Sequence, residues 1–186
     1  YYAELGQNLA LFAKFKALRA SGEFDALNPA RKKIIENELR DFRLSGAELA
    51  EDKKARFLEI QEELSTLCSR FSDNILDATN DYTLLVEDSA ELGGIPADDL
   101  QAAEEAAQAA GKKGWLFTLK APSYMPVLQY ADNRALREKL YVAYSQRASE
   151  FGKADWDNAP LITQILKLRA EEARLLGYAS YAELSL

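Results

Sequence analysis

Apolar residues recur along most of this chain at three- and four-residue intervals, the spacing that gathers them on one side of a helix. In residues 1–20 the series is Leu5, Leu9, Phe12, Phe15 and Leu18, and Ser21-Gly22 ends it. Asn28-Pro29 then reads as a capping side chain followed by proline at the first helical position, where its missing N–H costs nothing. The helix it opens carries Ile35, Leu39 and Phe42 on one side and stops near Ser45-Gly46. Residues 51–79 hold the longest stripe: Phe57, Ile60, Leu64, Leu67, Phe71 and Ile75. We read it as a helix packed on its neighbours. A free coiled coil is the competing reading, but that pattern needs three or four sustained heptads and fades after Ile75.

The period changes in the middle. Tyr82-Thr-Leu-Leu-Val86 and Trp115-Leu-Phe-Thr-Leu119 are short β-branched and apolar runs, which predict two strands. Between them Pro96 to Ala110 is rich in Ala, Glu and Gln, a helix bracketed by Gly93-Gly94 and Gly111. A two-stranded ribbon is marginal alone and must lie on a helical body. Ser123 to Tyr130 is bounded by proline and reads as a loop. Asp132 or Asn133 caps the next helix, which runs to about Phe151 and buries Leu136, Leu140, Tyr144 and Phe151. Gly152 to Asp157 is a loop. Asn158 and Pro160 open a last long helix carrying Ile162, Ile165, Arg169, Ala173 and Leu176, which Gly177 ends. A short helix over Tyr178 to Leu184 follows. The fold class is therefore mainly α, with one small two-stranded β element.

Composition narrows the function. The chain has 186 residues, of which 48% are hydrophobic and 28% charged, an ordinary globular profile. That length buries about 70% of the unfolded chain's surface. A net charge of −7 and a pI near 4.8 argue against a nucleic-acid partner. Arg31-Lys32-Lys33 and Lys53-Lys54 sit among acidic residues and read as solvated helix faces. No apolar run is long enough for a membrane span, and no secretory signal is visible. The single cysteine, Cys68, excludes an internal disulfide; beside Leu67 it reads as a buried, inert thiol. A cytoplasmic location is the expectation. The chain starts at Tyr1-Tyr2 without methionine and ends at Leu186 just after a helical pattern, so both ends are read as cuts.

The chemistry is sparse. There is no histidine, which removes the usual zinc sites and every histidine-based nucleophile arrangement. Asp98-Asp99 and Glu104-Glu105 sit on an exposed helix, where they favour the helix dipole and solubility. No phosphate-cradling glycine motif and no calcium loop occur. A carboxylate pair for glycoside chemistry needs coordinates to judge. Tyr124, Tyr130, Tyr141 and Tyr144 cluster around 122–145. Half-buried packing between helices is the simpler reading; a peptide-contacting groove wall is the alternative.

Several long segments carry a resemblance. They are Phe57-Leu-Glu-Ile-Gln-Glu-Glu-Leu64, Phe71-Ser-Asp-Asn-Ile-Leu-Asp-Ala-Thr79 and Trp115-Leu-Phe-Thr-Leu119. Pro122-Ser-Tyr-Met-Pro-Val-Leu-Gln-Tyr-Ala131, Asn133-Arg-Ala-Leu-Arg-Glu-Lys-Leu-Tyr141 and Tyr144 with Arg147-Ala-Ser149 follow. Asn158-Ala-Pro-Leu-Ile162, Leu168-Arg-Ala-Glu-Glu-Ala173 and Leu176-Gly-Tyr-Ala-Ser-Tyr-Ala-Glu-Leu184 complete the series. In order and extent the set resembles the thimet oligopeptidase-like zinc metallopeptidases, closest to their bacterial oligopeptidase A branch.

That resemblance implies a large, mostly helical enzyme of zincin type that cleaves short peptides inside a deep channel. Its zinc is held by an H-E-x-x-H pair and a downstream glutamate, with the motif's own glutamate as general base. None of these residues exists here. No residue of the chain is therefore assigned as catalytic, cofactor-binding or metal-ligating, and the chain itself is expected to be inactive and to bind no zinc. Residues 1–121 correspond to the N-terminal helical region with its ribbon at about 82–119, and 122–186 to a truncated start of the helical catalytic region. The partners implied are short peptides and the missing catalytic half, with neither nucleic acid nor membrane. Self-association through apolar surface left uncovered is a further expectation. A stand-alone helical module that binds peptide or protein without catalysis is the alternative function.

Overall fold

A computed structural model describes Gly6 and residues 8–186. Leu5, the first member of the N-terminal stripe, lies outside the described residues. Helix α1 (Leu9–Arg19) starts at Asn8, whose side chain accepts from the Leu11 N–H. A single-turn helix, α2 (Gly22–Asp25), follows Ser21. In α3 (Pro29–Leu44) Asn28 caps as expected, its Oδ1 accepting from the Arg31 N–H at 2.9 Å. Cα packing groups residues 1–66 with 165–186, and 67–164 as a second unit.

The core of the first unit takes Phe12, Ile35, Leu39 and Phe42 from the predicted stripes and adds Phe24, whereas Leu9 is exposed, contrary to the expected stripe. Phe12 and Phe24 bury against Ile35, Leu39 and Phe42, and the Phe12 and Phe42 rings lie 5.2 Å apart. Helix α4 runs over Glu51–Asp81. Its stripe is deepest at Phe57 and Ile60, which are buried. Leu64, Leu67, Phe71 and Ile75 are only half-buried, and so is Cys68, contrary to the buried thiol expected. The buried residue of that half of the helix is polar. Asn74 donates to Asn158 at 2.8 Å, and Asn158 in turn donates to the Phe71 carbonyl at 3.0 Å.

In the second unit the ribbon forms as predicted. β1 (Thr83–Val86) and β2 (Trp115–Thr118) pair antiparallel with Leu84 opposite Phe117 and Val86 opposite Trp115. Alternation sends Leu84, Val86, Trp115 and Phe117 into one core. Helix α5 (Ala97–Ala109) adds Ala103 to it, and a 3₁₀ turn over Ser89–Leu92 adds Leu92.

Two expectations are corrected here. Residues 121–130 form a helix, α6 (Ala121–Tyr130), not a loop. Its prolines are tolerated because Pro122 sits in the first turn, where N–H groups have no helical partner, and Pro126 removes only the bond to Pro122. Helix α7 (Arg134–Ser145) is capped by Asn133 but stops at Ser145, not near Phe151. Ala148 there takes a left-handed φ of 49°, and its carbonyl accepts from the Asn158 N–H. Phe151 is consequently 71% exposed instead of buried, while Leu136 and Leu140 are buried as expected.

Helix α8 (Ala159–Leu175) ends at Gly177 with φ 88°, where the Tyr178 N–H reaches back to the Ala173 carbonyl. Its buried face is Leu161, Ile165, Leu168 and Ala173, and Ile162 is exposed. Helix α9 (Tyr181–Ser185) starts later than the pattern suggested. Ser180 accepts from the Glu183 N–H, and the Glu183 carboxylate accepts from the Ala179 N–H.

Candidate functional site

The four tyrosines do not form one wall. Tyr124 is buried, with Tyr144 stacked on it at 4.2 Å and 11° between the ring planes. Burial, with Tyr144 and Tyr141 nearby, pushes the Tyr124 phenol above its ordinary value. Tyr130 and Tyr141 are exposed. Tyr141 belongs to a shallow depression with Leu128, Arg134, Arg137 and Glu138. Arg137 is pinned there by the carbonyls of Ala131 and Asp132. The packing reading thus holds for Tyr124 and Tyr144, and the surface reading is left to Tyr130 and Tyr141.

A better-formed cleft of about 220 Å³ lies where the end of α4 meets the α7–α8 loop. Helical phase at the end of α4 brings Asp81 to its rim, and the start of the ribbon brings Tyr82. Burial raises the Tyr82 phenol above its usual range. The loop supplies Arg147, Phe151, Lys153 and Trp156. Arg147 lies over the Tyr144 ring at 3.5 Å; its Nε donates to the Tyr144 carbonyl and its Nη1 to Thr79 Oγ1, both at 2.9 Å. Lys153 pairs with Asp81 at 2.7 Å and sits 4.6 Å from the Trp156 ring centroid. The Asn158 contacts fix the far end of the same loop. Sequence reasoning missed this constellation, because a left-handed alanine is not written in any spacing. The one available signal was the density of aromatic and cationic residues between 147 and 156.

A second polar cluster belongs to the first unit. Arg56 makes a bidentate pair with Glu171, at 2.8 and 2.9 Å, and reaches Glu59 and Glu63 at 3.2 Å. Those bonds hold the Glu171 carboxyl below the ordinary carboxylate range and strengthen protonation of the guanidinium. Gln61 donates to the neighbouring Glu172 at 2.8 Å. With one guanidinium shared among three carboxylates on partly exposed side chains, this is an ion-pair network on the helix surface.

For a metal the donor set is poor. The chain has no histidine and one cysteine, and among the described residues no three His, Cys, Asp or Glu side chains gather where they could hold an ion. These residues do not fit a zinc site, so no chemical step is assigned to a metal on this chain. Among the described residues no helix is long and apolar enough to cross a membrane.

Comparison with known proteins decides the family. The chain is 50% identical to Oligopeptidase A of Haemophilus influenzae, over 100% of this chain and 28% of that protein. Identity to Oligopeptidase A of Escherichia coli is 46% over the same shares. Against Dipeptidyl carboxypeptidase of Escherichia coli it is 34%, over 94% of this chain and 26% of that protein. The model of the Neurolysin/Thimet oligopeptidase N-terminal domain matches residues 1–54, and that of Peptidase family M3 matches residues 127–186. The chain belongs to peptidase family M3. It spans just over a quarter of the length of these relatives. The M3 match covers α7, α8 and α9 in full, so the cleft's loop lies within the stretch that the family model describes.

Proposed function

We propose that this chain is a segment of a zinc-dependent oligopeptidase that hydrolyses short peptides, and that it forms part of the wall of the substrate channel. The observation that carries this is 50% identity across the whole chain to an oligopeptidase, with the two family models matched at opposite ends. The zinc and the groups that act on the scissile bond belong to the rest of the protein, and the chain alone is inactive. The boundary between the N-terminal helical region and the start of the catalytic region falls near residues 121 and 122, inside the stretch that neither family model matches. The protein works in the cytoplasm, and its partners are short peptides and the catalytic half.

The test is to express the 186-residue chain and the longer protein from the same gene and assay both on an internally quenched oligopeptide. Hydrolysis by the longer protein alone is the expected result. Turnover by the 186-residue chain, or a gene lacking H-E-x-x-H beyond Leu186, would overturn the reading. The alternative, a stand-alone peptide-binding module, predicts saturable peptide binding by the chain together with an inert longer protein.

A further inference from the structure

We propose that the cleft at the α4 terminus binds the C-terminal residue of a peptide. Its side chain would lie against Tyr82, Phe151 and Trp156, and its carboxylate between Arg147 and Lys153. The inference rests on the peptidase reading and adds to it a named subsite and the end of the ligand it takes.

Size is the first argument. A cleft of about 220 Å³ falls below the range of about 300 Å³ upward that holds a drug-sized ligand, and it suits a single large residue. Its walls are the second. Phe151 is 71% exposed although its loop is held from both sides. Arg147 binds Thr79, Lys153 binds Asp81, and Asn158 binds Asn74 and the Phe71 carbonyl. An apolar ring presented on an anchored loop gains by being covered and loses little entropy when it is.

Charge selects the occupant. The chain carries −7, so its general surface repels anions. The cleft reverses that locally, with two cations against one carboxylate, Asp81. Neither cation is saturated. Lys153 uses one of its three donors on Asp81, and the Nη2 of Arg147 has no hydrogen bond among the described residues. A carboxylate at the rim would accept from both in charge-assisted bonds. A residue inside a peptide lacks the α-carboxylate, and an internal Asp or Glu that carries a side-chain carboxylate lacks the apolar side chain that the walls would cover. A nucleic acid carries anionic groups too but would face the surrounding negative field along its length.

The experiment reads Trp156 directly. The chain has two tryptophans, so Trp115→Phe leaves Trp156 as the sole indole reporter. That variant is titrated with N-acetyl-Ala-Ala-Phe as the free acid and as the C-terminal amide. A saturable change in emission is expected, with the acid binding at least about tenfold more tightly than the amide, the weight of one charge-assisted bond. Lys153→Gln should weaken the acid by about the same factor and leave the amide unchanged. Phe151→Ser should weaken both. Both altered side chains are exposed, and circular dichroism checks that the helices persist. No saturable response up to millimolar peptide, or equal affinity for acid and amide, overturns the proposal. Hydrolysis by the longer protein is measured alongside. Peptide cleavage with a silent Trp156 sinks the subsite alone, whereas a responsive Trp156 without cleavage sinks the peptidase reading.

Discussion

At the scale of single residues, two asparagines with the same chemistry differ in how legible they are. Asn133 caps α7 through bonds to residues two and three positions on, so its role can be read from the chain. Asn158 bonds Asn74 and Phe71, 84 and 87 positions away, and nothing local announces it. The energetics differ in the same direction. Asn133→Ala loses a cap worth about 1 kcal/mol. Asn158→Ala removes one buried and one part-buried hydrogen bond and leaves the amide of Asn74 without its partner, at about 3 kcal/mol. Urea unfolding of both variants should show the larger loss of midpoint in Asn158→Ala. A smaller loss there than in Asn133→Ala would mean that water replaces the missing amide. The same residue ties down the loop of the peptide cleft, so its loss should also weaken the Trp156 response.

At the scale of elements, local chemistry was readable at the boundaries set by Asn28, Asn133 and Gly177. It was misleading where backbone geometry is imposed from outside. The two prolines of α6 suggested a loop, yet Pro122 falls in the first turn, where N–H groups have no helical partner, and Pro126, inside the helix, gives up only the bond to Pro122. Ser123 then accepts from the Thr118 N–H and seats that turn on the end of β2. The apolar period of α7 continues to Phe151, but the helix stops early because Ala148 turns left-handed to meet Asn158. Glycines around the ribbon give a graded test. Gly111 has φ 69° and open space where a methyl group would stand, so Gly111→Ala costs only the left-handed penalty of about 1 kcal/mol. Gly114 has φ 107°, and a Cβ there would lie 2.3 Å from the Val86 carbonyl oxygen. Gly114→Ala must therefore push the strands apart as well, and should cost more than the roughly 2 kcal/mol that left-handed strain alone can reach. Thermal melts of the two variants check the order. Equal losses would show that the ribbon yields without penalty.

At the scale of the whole molecule, net charge and ion pairs decide how the chain responds to acid and salt. The helical class and the family were legible because they rest on long stretches of pattern. The cleft was not, because it depends on where the α7–α8 loop meets α4. The Arg56 network was equally hidden, since Glu171 lies 115 positions from its partner. Its pH dependence follows from one sign. Arg56 holds the Glu171 carboxyl below its ordinary value in the folded chain, while the unfolded chain returns it to about 4.3. A depressed folded value means that the contribution is fully present above about 4.3 and disappears as pH falls through the folded value. Arg56→Gln deletes the pair and leaves Glu59, Glu63 and Glu171 facing one another in a chain already at −7. The variant should therefore unfold at lower urea than the parent near neutral pH, and the gap should close as pH falls through the ordinary carboxylate range and below it. High salt near neutral pH should also narrow the gap, because side chains that are 38% and 36% exposed are screened. A gap independent of both pH and salt would show that Arg56 stabilises the chain through packing of its aliphatic stem and not through charge.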